Sequence, residues 1–360
     1  MKYRLLTVAM AGVLTAGGCA TTSAPEAARA TLAAVDRPAE SGELMERLLK
    51  TDQPGCSAAV GIEGVVAWSG ARGVADTTTG RPLTTTSVFD IASVSKQFTA
   101  TAVLLLAGAG DLDLTDPVAK HVPGLPGWAG TVTIDHLIHH TSGITDYTHL
   151  LTAAGHTLTD PATQRQALEA IAKSPPPTSG TFAYSNSNYV LLAEVVAAVS
   201  GQSLPQFLAA KVFGPLRLAM TLVPAARGPE TALPYAKSPD GTWQLAGSAW
   251  TQIGDGSVQT TPGELVRWAD NYRTGAVGGE TLLKAQLDRA VPTGQPAGPR
   301  YAAGIAVNSD GTLSHEGGWA GYATLFGVTA DRRTAIAVSC NAAETDITAI
   351  ATGLQRIWTR

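Results

Sequence analysis

Runs with strand character lie at both ends of this chain and helix-like runs fill its middle, and that order limits how the chain can close. Near the N-terminus, Ser57 to Ile62 and Val65 to Ala71 are apolar or small runs separated by Glu63-Gly64, a two-residue hairpin signal. Near the C-terminus the pattern returns in Ala303 to Val307, Thr312 to His315, Tyr322 to Val328 and Thr334 to Cys340, with turns at Ser309-Asp310-Gly311 and Asp331-Arg332. Between them, Thr133 to His140 reads as a short amphipathic helix and Tyr189 to Val199 as an apolar helix closed by Gly201. Thr261-Pro262-Gly263-Glu264 reads as a capping box opening Leu265 to Tyr272. Short helices at Glu43 to Lys50 and Ala343 to Trp358 complete the set. The arrangement predicted is mixed α/β (α+β): one antiparallel sheet made from both termini, flanked by helices, with an inserted all-helical region over about residues 84–300.

Residues 1–18 read as a signal peptide: Lys2 and Arg4 are basic, Leu5 to Leu14 is apolar, and small residues lead to Cys19. The apolar run is too short to span a bilayer. Cys19 directly after Gly18 resembles a bacterial lipobox, although Ala16 stands where such a box usually has Leu. Lipidation of Cys19 is expected over simple cleavage, with residues 19–42 as a flexible tether and the body from residue 43 exported to the periplasm or cell surface. Forty-four per cent hydrophobic and 15% charged residues describe a globular body, and a net charge of −4 without a Lys/Arg stripe leaves no footprint for nucleic acid. Nothing repeats at a fixed period. Of the three cysteines, Cys56 and Cys340 remain as a candidate pair in an oxidising compartment.

The chemistry centres on Asp90-Ile91-Ala92-Ser93-Val94-Ser95-Lys96. Ser93 and Lys96, three residues apart at the start of an apolar helical run, stack on one face of its first turn. A serine hydroxyl needs a base to become a nucleophile, and an amine serves if burial lowers its pKa. Free N–H groups at the helix start favour a developing oxyanion. A lone S-x-x-K is more often a helix cap and a surface lysine, but the apolar residues around this pair predict burial, and a buried lysine needs a reason. Candidate partners are Tyr184-Ser185-Asn186, in a polar loop before the Tyr189 helix, and His315-Glu316-Gly317-Gly318, ending a strand with two glycines that allow close backbone approach.

These motifs together resemble the serine β-lactamase and penicillin-binding superfamily, in its class C-like branch with family VIII esterases and D-alanyl-D-alanine peptidases. The motifs are S-x-x-K at Ser93 and Lys96, Y-x-N at Tyr184 and Asn186, and H-x-G at His315 and Gly317. Supporting matches are Leu112-Asp113-Leu114-Thr115-Asp116-Pro117, His140-Thr141-Ser142-Gly143-Ile144 and Thr260-Thr261-Pro262-Gly263-Glu264, and the likeness runs from about Pro54 to the C-terminus. The resemblance implies a β-lactamase-like fold and a Ser93 acyl-enzyme. It gives Lys96 and Tyr184 the proton transfers, and has Asn186 orient Lys96 and a substrate carbonyl. His315 would be part of the catalytic set, the N–H groups of Ser93 and Gly318 the oxyanion hole, and Glu316 and Gly317 substrate contacts. No cofactor and no metal are implied. The implied partners are a small ester, a β-lactam or a D-amino-acid peptide, and the membrane through Cys19; the oligomeric state is left open.

The departure is at the third motif, where many relatives carry a lysine. His315 is mostly neutral at pH 7, so a cation for a substrate carboxylate would have to come from elsewhere, with Arg332 and Arg333 as candidates. This shifts the expectation toward an esterase-like or peptidase-like hydrolase with weak β-lactamase activity. The alternatives are a class C-type β-lactamase and a lipoprotein that is acylated without turnover. No G-x-S-x-G elbow occurs in the chain. His136, His139 and His140 have metal-like spacing but lack the H-E-x-x-H glutamate, and read as helix surface plus a packing histidine. The resemblance also places the first strand beside the last, with Cys56 facing Cys340; two buried thiols are expected there over a bridge, because paired cysteines on adjacent antiparallel strands often have unsuitable Cβ geometry.

Overall fold

The computed structural model describes residues 36–360 apart from Pro176 and Ser179. The expected signal peptide, Cys19 and most of the tether lie outside the described residues. The first helix, α1 (Arg37–Leu48), begins ahead of the expected Glu43. Asp36 caps it, accepting from the Ala39 N–H at 3.1 Å, and Pro38 sits in its first turn, where no helical N–H is needed. The stretch from Arg37 to Gly42 is therefore helix, not tether.

Strands β1 (Cys56–Ile62) and β2 (Val65–Arg72) form the expected hairpin. Its turn residues Glu63 and Gly64 have φ of 49° and 79°, the left-handed pair that matches strand twist. The central helices α2 (Lys96–Ala109) and α3 (Asn186–Ser200) end on left-handed Gly110 and Gly201. Helix α4 (Pro262–Ala269) keeps half of the expected capping box: Thr261 Oγ1 accepts from the Glu264 N–H at 3.2 Å, while the Glu264 carboxylate turns to the Ala219 N–H and to Arg267.

The C-terminal strands are β3 (Val291–Pro292), β4 (Arg300–Tyr301), β5 (Ala306–Val307), β6 (Leu313–Trp319), β7 (Tyr322–Val328) and β8 (Thr334–Cys340), followed by α5 (Ile347–Trp358). All eight strands form one antiparallel sheet in the order β3-β4-β5-β6-β7-β8-β1-β2, so both ends of the chain do meet in one sheet. Strand β1 is interior and reads as a continuous apolar run because it is covered on both faces. Ala58 and Val60 pack with Leu44, Ile350 and Leu354 under α1 and α5, while Ala59 joins the main core with α2, α3 and α4. A Cβ on Gly61 would lie 2.8 Å from Val266 Cβ, so this glycine admits α4 to the sheet.

Three expectations are corrected. The inserted region is not all-helical: Phe89–Asp90, Val258–Thr260 and Thr221–Leu222 form a small antiparallel sheet, and Tyr235–Lys237 pairs with Trp243–Leu245, strands too short to carry a periodic signal. Strand β6 does not stop at His315 but runs through both glycines to Trp319, because at Gly317 the strand passes against the Ser93 turn, where only glycine fits. Cys56 and Cys340 form a disulfide rather than two thiols. They are directly opposed in the β1–β8 register with Cα atoms 4.0 Å apart, and the adjacent pair Gly55 and Asn341 takes the ladder hydrogen bond. Cys56 and Cys340 thus occupy a close, non-hydrogen-bonded position, where side chains approach most nearly.

Candidate active site

Ser93 lies in a single 3-10 turn, Ala92–Ser95, that leads into α2 rather than in the first α-helical turn. The i, i+3 spacing still works, because side chains three apart eclipse in a 3-10 turn. The turn is strained: Ala92 has φ of 48°. Asp90 holds it, one carboxylate oxygen accepting from the Ala92 N–H at 2.8 Å and the other from Gln259 Nε2 at 3.1 Å. Burial pushes the Asp90 carboxyl up to about 6, against the pull of the Ala92 N–H. The short strand Phe89–Asp90 pairs with Val258–Thr260, which brings the preceding loop, Asp255 to Ser257, beside Ser93.

Lys96 is fully buried. Its Nζ donates to Ser93 Oγ at 3.0 Å, Asn186 Oδ1 at 2.8 Å and the Asp255 carbonyl at 2.7 Å. Burial lowers its pKa to about 8, while the Asp255 and Asp146 carboxylates pull it back up. The Asn186 amide is oriented by Asp146, whose Oδ2 accepts from Asn186 Nδ2 and from its backbone N–H, both at 2.9 Å. Two of the three Lys96 partners can therefore only accept. When the amine is neutral its two hydrogens go to Asn186 and Asp255, and its lone pair faces the Ser93 hydroxyl.

The ring of half-buried Tyr184 stands with its centroid 5.0 Å from Lys96 Nζ and rests on buried His140 at 4.2 Å between centroids. His140 Nδ1 accepts from the Ser185 N–H at 3.2 Å and Asn188 Nδ2 at 3.0 Å, so His140 braces the loop that carries Tyr184 and Asn186. Burial, with Lys96 nearby, holds its pKa well below the usual histidine value. The other two histidines of that cluster face elsewhere: His136 accepts from the Thr133 N–H, and His139 lies against Asp135.

The third motif departs from its expected role. His315 is buried, its Nδ1 2.7 Å from the Glu316 carbonyl and its Nε2 3.0 Å from Tyr301 Oη. Since Nδ1 must donate to that carbonyl, Nε2 accepts from Tyr301. Burial and then Lys96 lower the His315 pKa to about 3, keeping it neutral. His315 is thus a packed residue behind the site and does not line the cavity over Ser93. Strand alternation turns Glu316 to the opposite face, into a cleft with Leu325, Ile336 and Ala351, where burial raises its pKa; it is not a substrate contact at Ser93. A Cβ on Gly317 would lie 2.3 Å from the Ile91 carbonyl oxygen and 3.1 Å from Ser93 N, so only glycine lets β6 reach the Ser93 turn. Gly318, open toward solvent, lines the same small cavity as Ser93, Tyr147, Asn186, Asp255 and Trp319. Arg332 is spent on the Gly311 and Thr329 carbonyls and Arg333 pairs with Glu63, both at the far end of the sheet; neither lines this cavity.

Sequence motifs did not point to Asp90, Asp146 or Asp255. Asp255 Oδ2 accepts from Tyr147 Oη at 3.0 Å, and burial raises its pKa against the pull of Lys96. The available hint for Asp90 was its adjacency to the Ser93 turn; the other two come from loops without periodicity.

In comparisons with known proteins, the chain matches the family described as Beta-lactamase over residues 41–355. It is 30% identical over 283 residues to penicillin-binding protein 4* of Bacillus subtilis (strain 168), covering 71% of this chain and 60% of that protein. It is 34% identical over 168 residues to a D-aminopeptidase of Cereibacter sphaeroides (strain KD131 / KCTC 12085), covering 45% of this chain and 31% of that one. The chain thus spans three-fifths or less of the length of these two relatives. In shape it is similar to the penicillin-binding protein from Bacillus halodurans (TM-score 0.78, 21% identity, 88% of this chain and 99% of that one). It is also similar to a D-stereospecific amidohydrolase from Streptomyces sp. (TM-score 0.74, 23% identity, 87% and 97%). These two share the fold. With the family match running from α1 into α5, and with Ser93, Lys96 and Asn186 joined as the sequence motifs require, the chain belongs to the beta-lactamase family.

Proposed function

We propose that this protein is a serine hydrolase that cleaves an ester or amide bond through an acyl-enzyme on Ser93, esterase-like or peptidase-like in preference, with weak turnover of β-lactams. The observation that carries the reading is the Lys96 amine, whose other partners are acceptors and whose lone pair is left for Ser93. As Ser93 Oγ bonds to the substrate carbonyl carbon, its proton passes to Lys96 Nζ and the carbonyl electron pair moves onto oxygen. That oxyanion would sit against the N–H groups of Ser93 and Gly318. Its collapse expels the leaving group, protonated through Lys96 and Tyr184, and water then attacks the ester with the same groups in reverse. The penicillin-binding and D-aminopeptidase names among the relatives support D-amino-acid peptides as the amide substrates. Among the described residues no Lys or Arg lines the small cavity directly over Ser93, and His315 is buried and neutral, which supports slow handling of β-lactams.

Steady-state assays with short aryl esters, a chromogenic cephalosporin and D-alanyl peptides test the reading. Multiple turnovers of an ester or peptide are expected, lost in a folded Ser93→Ala protein. A single burst of product with no steady state would favour an acylated binder, and rapid cephalosporin turnover a class C-type β-lactamase. The protein is further proposed to be exported and lipid-anchored through Cys19. The Cys56–Cys340 bridge supports an oxidising compartment. Metabolic labelling with palmitate, lost in Cys19→Ala, is the expected result.

A further inference from the structure

The cavity directly over Ser93 is small, about 30 Å³. It shares Trp250, Gly318 and Trp319 with a much larger groove of about 850 Å³, within the size range of ligand pockets. The two tryptophans form the sill between them, ring centroids 5.8 Å apart, and Trp250 is fixed by its Nε1 donating to the Thr157 carbonyl at 2.9 Å. The groove is walled mainly by apolar atoms, with Leu158 and Leu245 among its residues. Leu245 is 58% exposed, one of few large apolar side chains left open to solvent.

Charge gives the groove a polarity. Arg227 lines both the groove and the cavity that joins it to Asp90 and Ser257 beside the nucleophile turn. Among the described residues it has no hydrogen-bond or ion-pair partner. The acidic residue on the groove wall, Glu344, already accepts from the Lys237 N–H at 3.1 Å. A free guanidinium beside an apolar trough that opens onto the nucleophile suits a substrate with a bulky apolar residue and a carboxylate.

We infer that the groove beyond Trp250 and Trp319 is the binding site for the body of the substrate, a peptide with a large apolar side chain and a free carboxylate held by Arg227. This rests on the hydrolase reading and supplies from another loop the cation that His315 does not. The test is calorimetric titration of Ser93→Ala protein, which needs no turnover, with two N-acetylated peptides of the sequence D-phenylalanyl-D-alanine. One ends in a carboxylate and the other in a carboxamide. The carboxylate form is expected to bind about five- to tenfold more tightly, and Arg227→Gln to erase that preference. Leu245→Asp is expected to weaken both peptides while leaving their order unchanged. Equal affinities in the Arg227 protein, a preference that survives Arg227→Gln, or no binding of either peptide would overturn the inference. Failure of the hydrolase reading is separate, and would appear as ester turnover that persists in Ser93→Ala.

Discussion

Lys96 sits where burial and hydrogen bonding pull in opposite directions, and the balance sets a pH dependence. With its pKa lowered to about 8, the neutral amine is the minor form at pH 7 and the major form at pH 9. Acylation by Ser93 is therefore expected to rise with pH and level off above about 8, measured as kcat/KM for an aryl ester. His315, held to about 3, should contribute no inflection between pH 5 and 8. Lys96→Arg keeps a charge but loses the titratable lone pair, and is expected to cost about 10²- to 10⁴-fold in kcat/KM, the usual worth of a general base. Ser93, Lys96, Tyr184 and Asn186 were legible as letters through the S-x-x-K and Y-x-N motifs, and the fold brings the four side chains together. Asp146 and Asp255 were not: a carboxylate in a loop looks the same in sequence whether it faces water or orients the amide beside Lys96.

At the scale of elements, the geometry turns on β6 crossing the Ser93 turn with no side chain between them. Gly317→Ala would drive a methyl group into the Ile91 carbonyl and the Ser93 amide. A loss of about 1–3 kcal/mol is expected from such overpacking, read as a lowered denaturant midpoint, together with a fall in kcat as the Ser93 and Gly318 N–H groups, the proposed oxyanion site, move apart. Gly318→Ala has open space around its Cβ and should leave stability nearly unchanged. Strands β2, β7 and β8 could be read from apolar runs and turn residues to within a residue or so. Strand β6 was cut short at His315 because Gly317 and Gly318 carry the local signature of a turn. What makes them strand is the approach of the Ser93 turn, a tertiary fact that no local window contains. The early start of α1 at Arg37 depends likewise on Asp36 capping, a single side-chain contact within an Ala- and Pro-rich stretch.

For the whole molecule, the sheet is a clasp between the two ends. The Cys56–Cys340 bridge spans 284 residues of sequence and locks β1 against β8. Reduction, or the double change Cys56→Ser and Cys340→Ser, is expected to cost about 2–5 kcal/mol, seen as a lower Tm under reducing conditions with ester hydrolysis retained below it. Fold class and the meeting of the termini were visible in the order of strand and helix runs. The bridge is not visible there, because its formation depends on which register position the two cysteines share.

Helices α1 and α5 carry the clasp to the last residues: Trp358 Nε1 donates to Ser41 Oγ at 2.9 Å, and Arg37 reaches the Arg360 carbonyl at 2.9 Å. A ribosome making this chain thus releases β1 long before its neighbour β8 exists. The Ser93 turn must likewise wait for β6, synthesised more than two hundred residues after it. Assembly of the working molecule is deferred until β6 and β8 have both been made, which leaves a long interval in which an unfolded chain can be handed on.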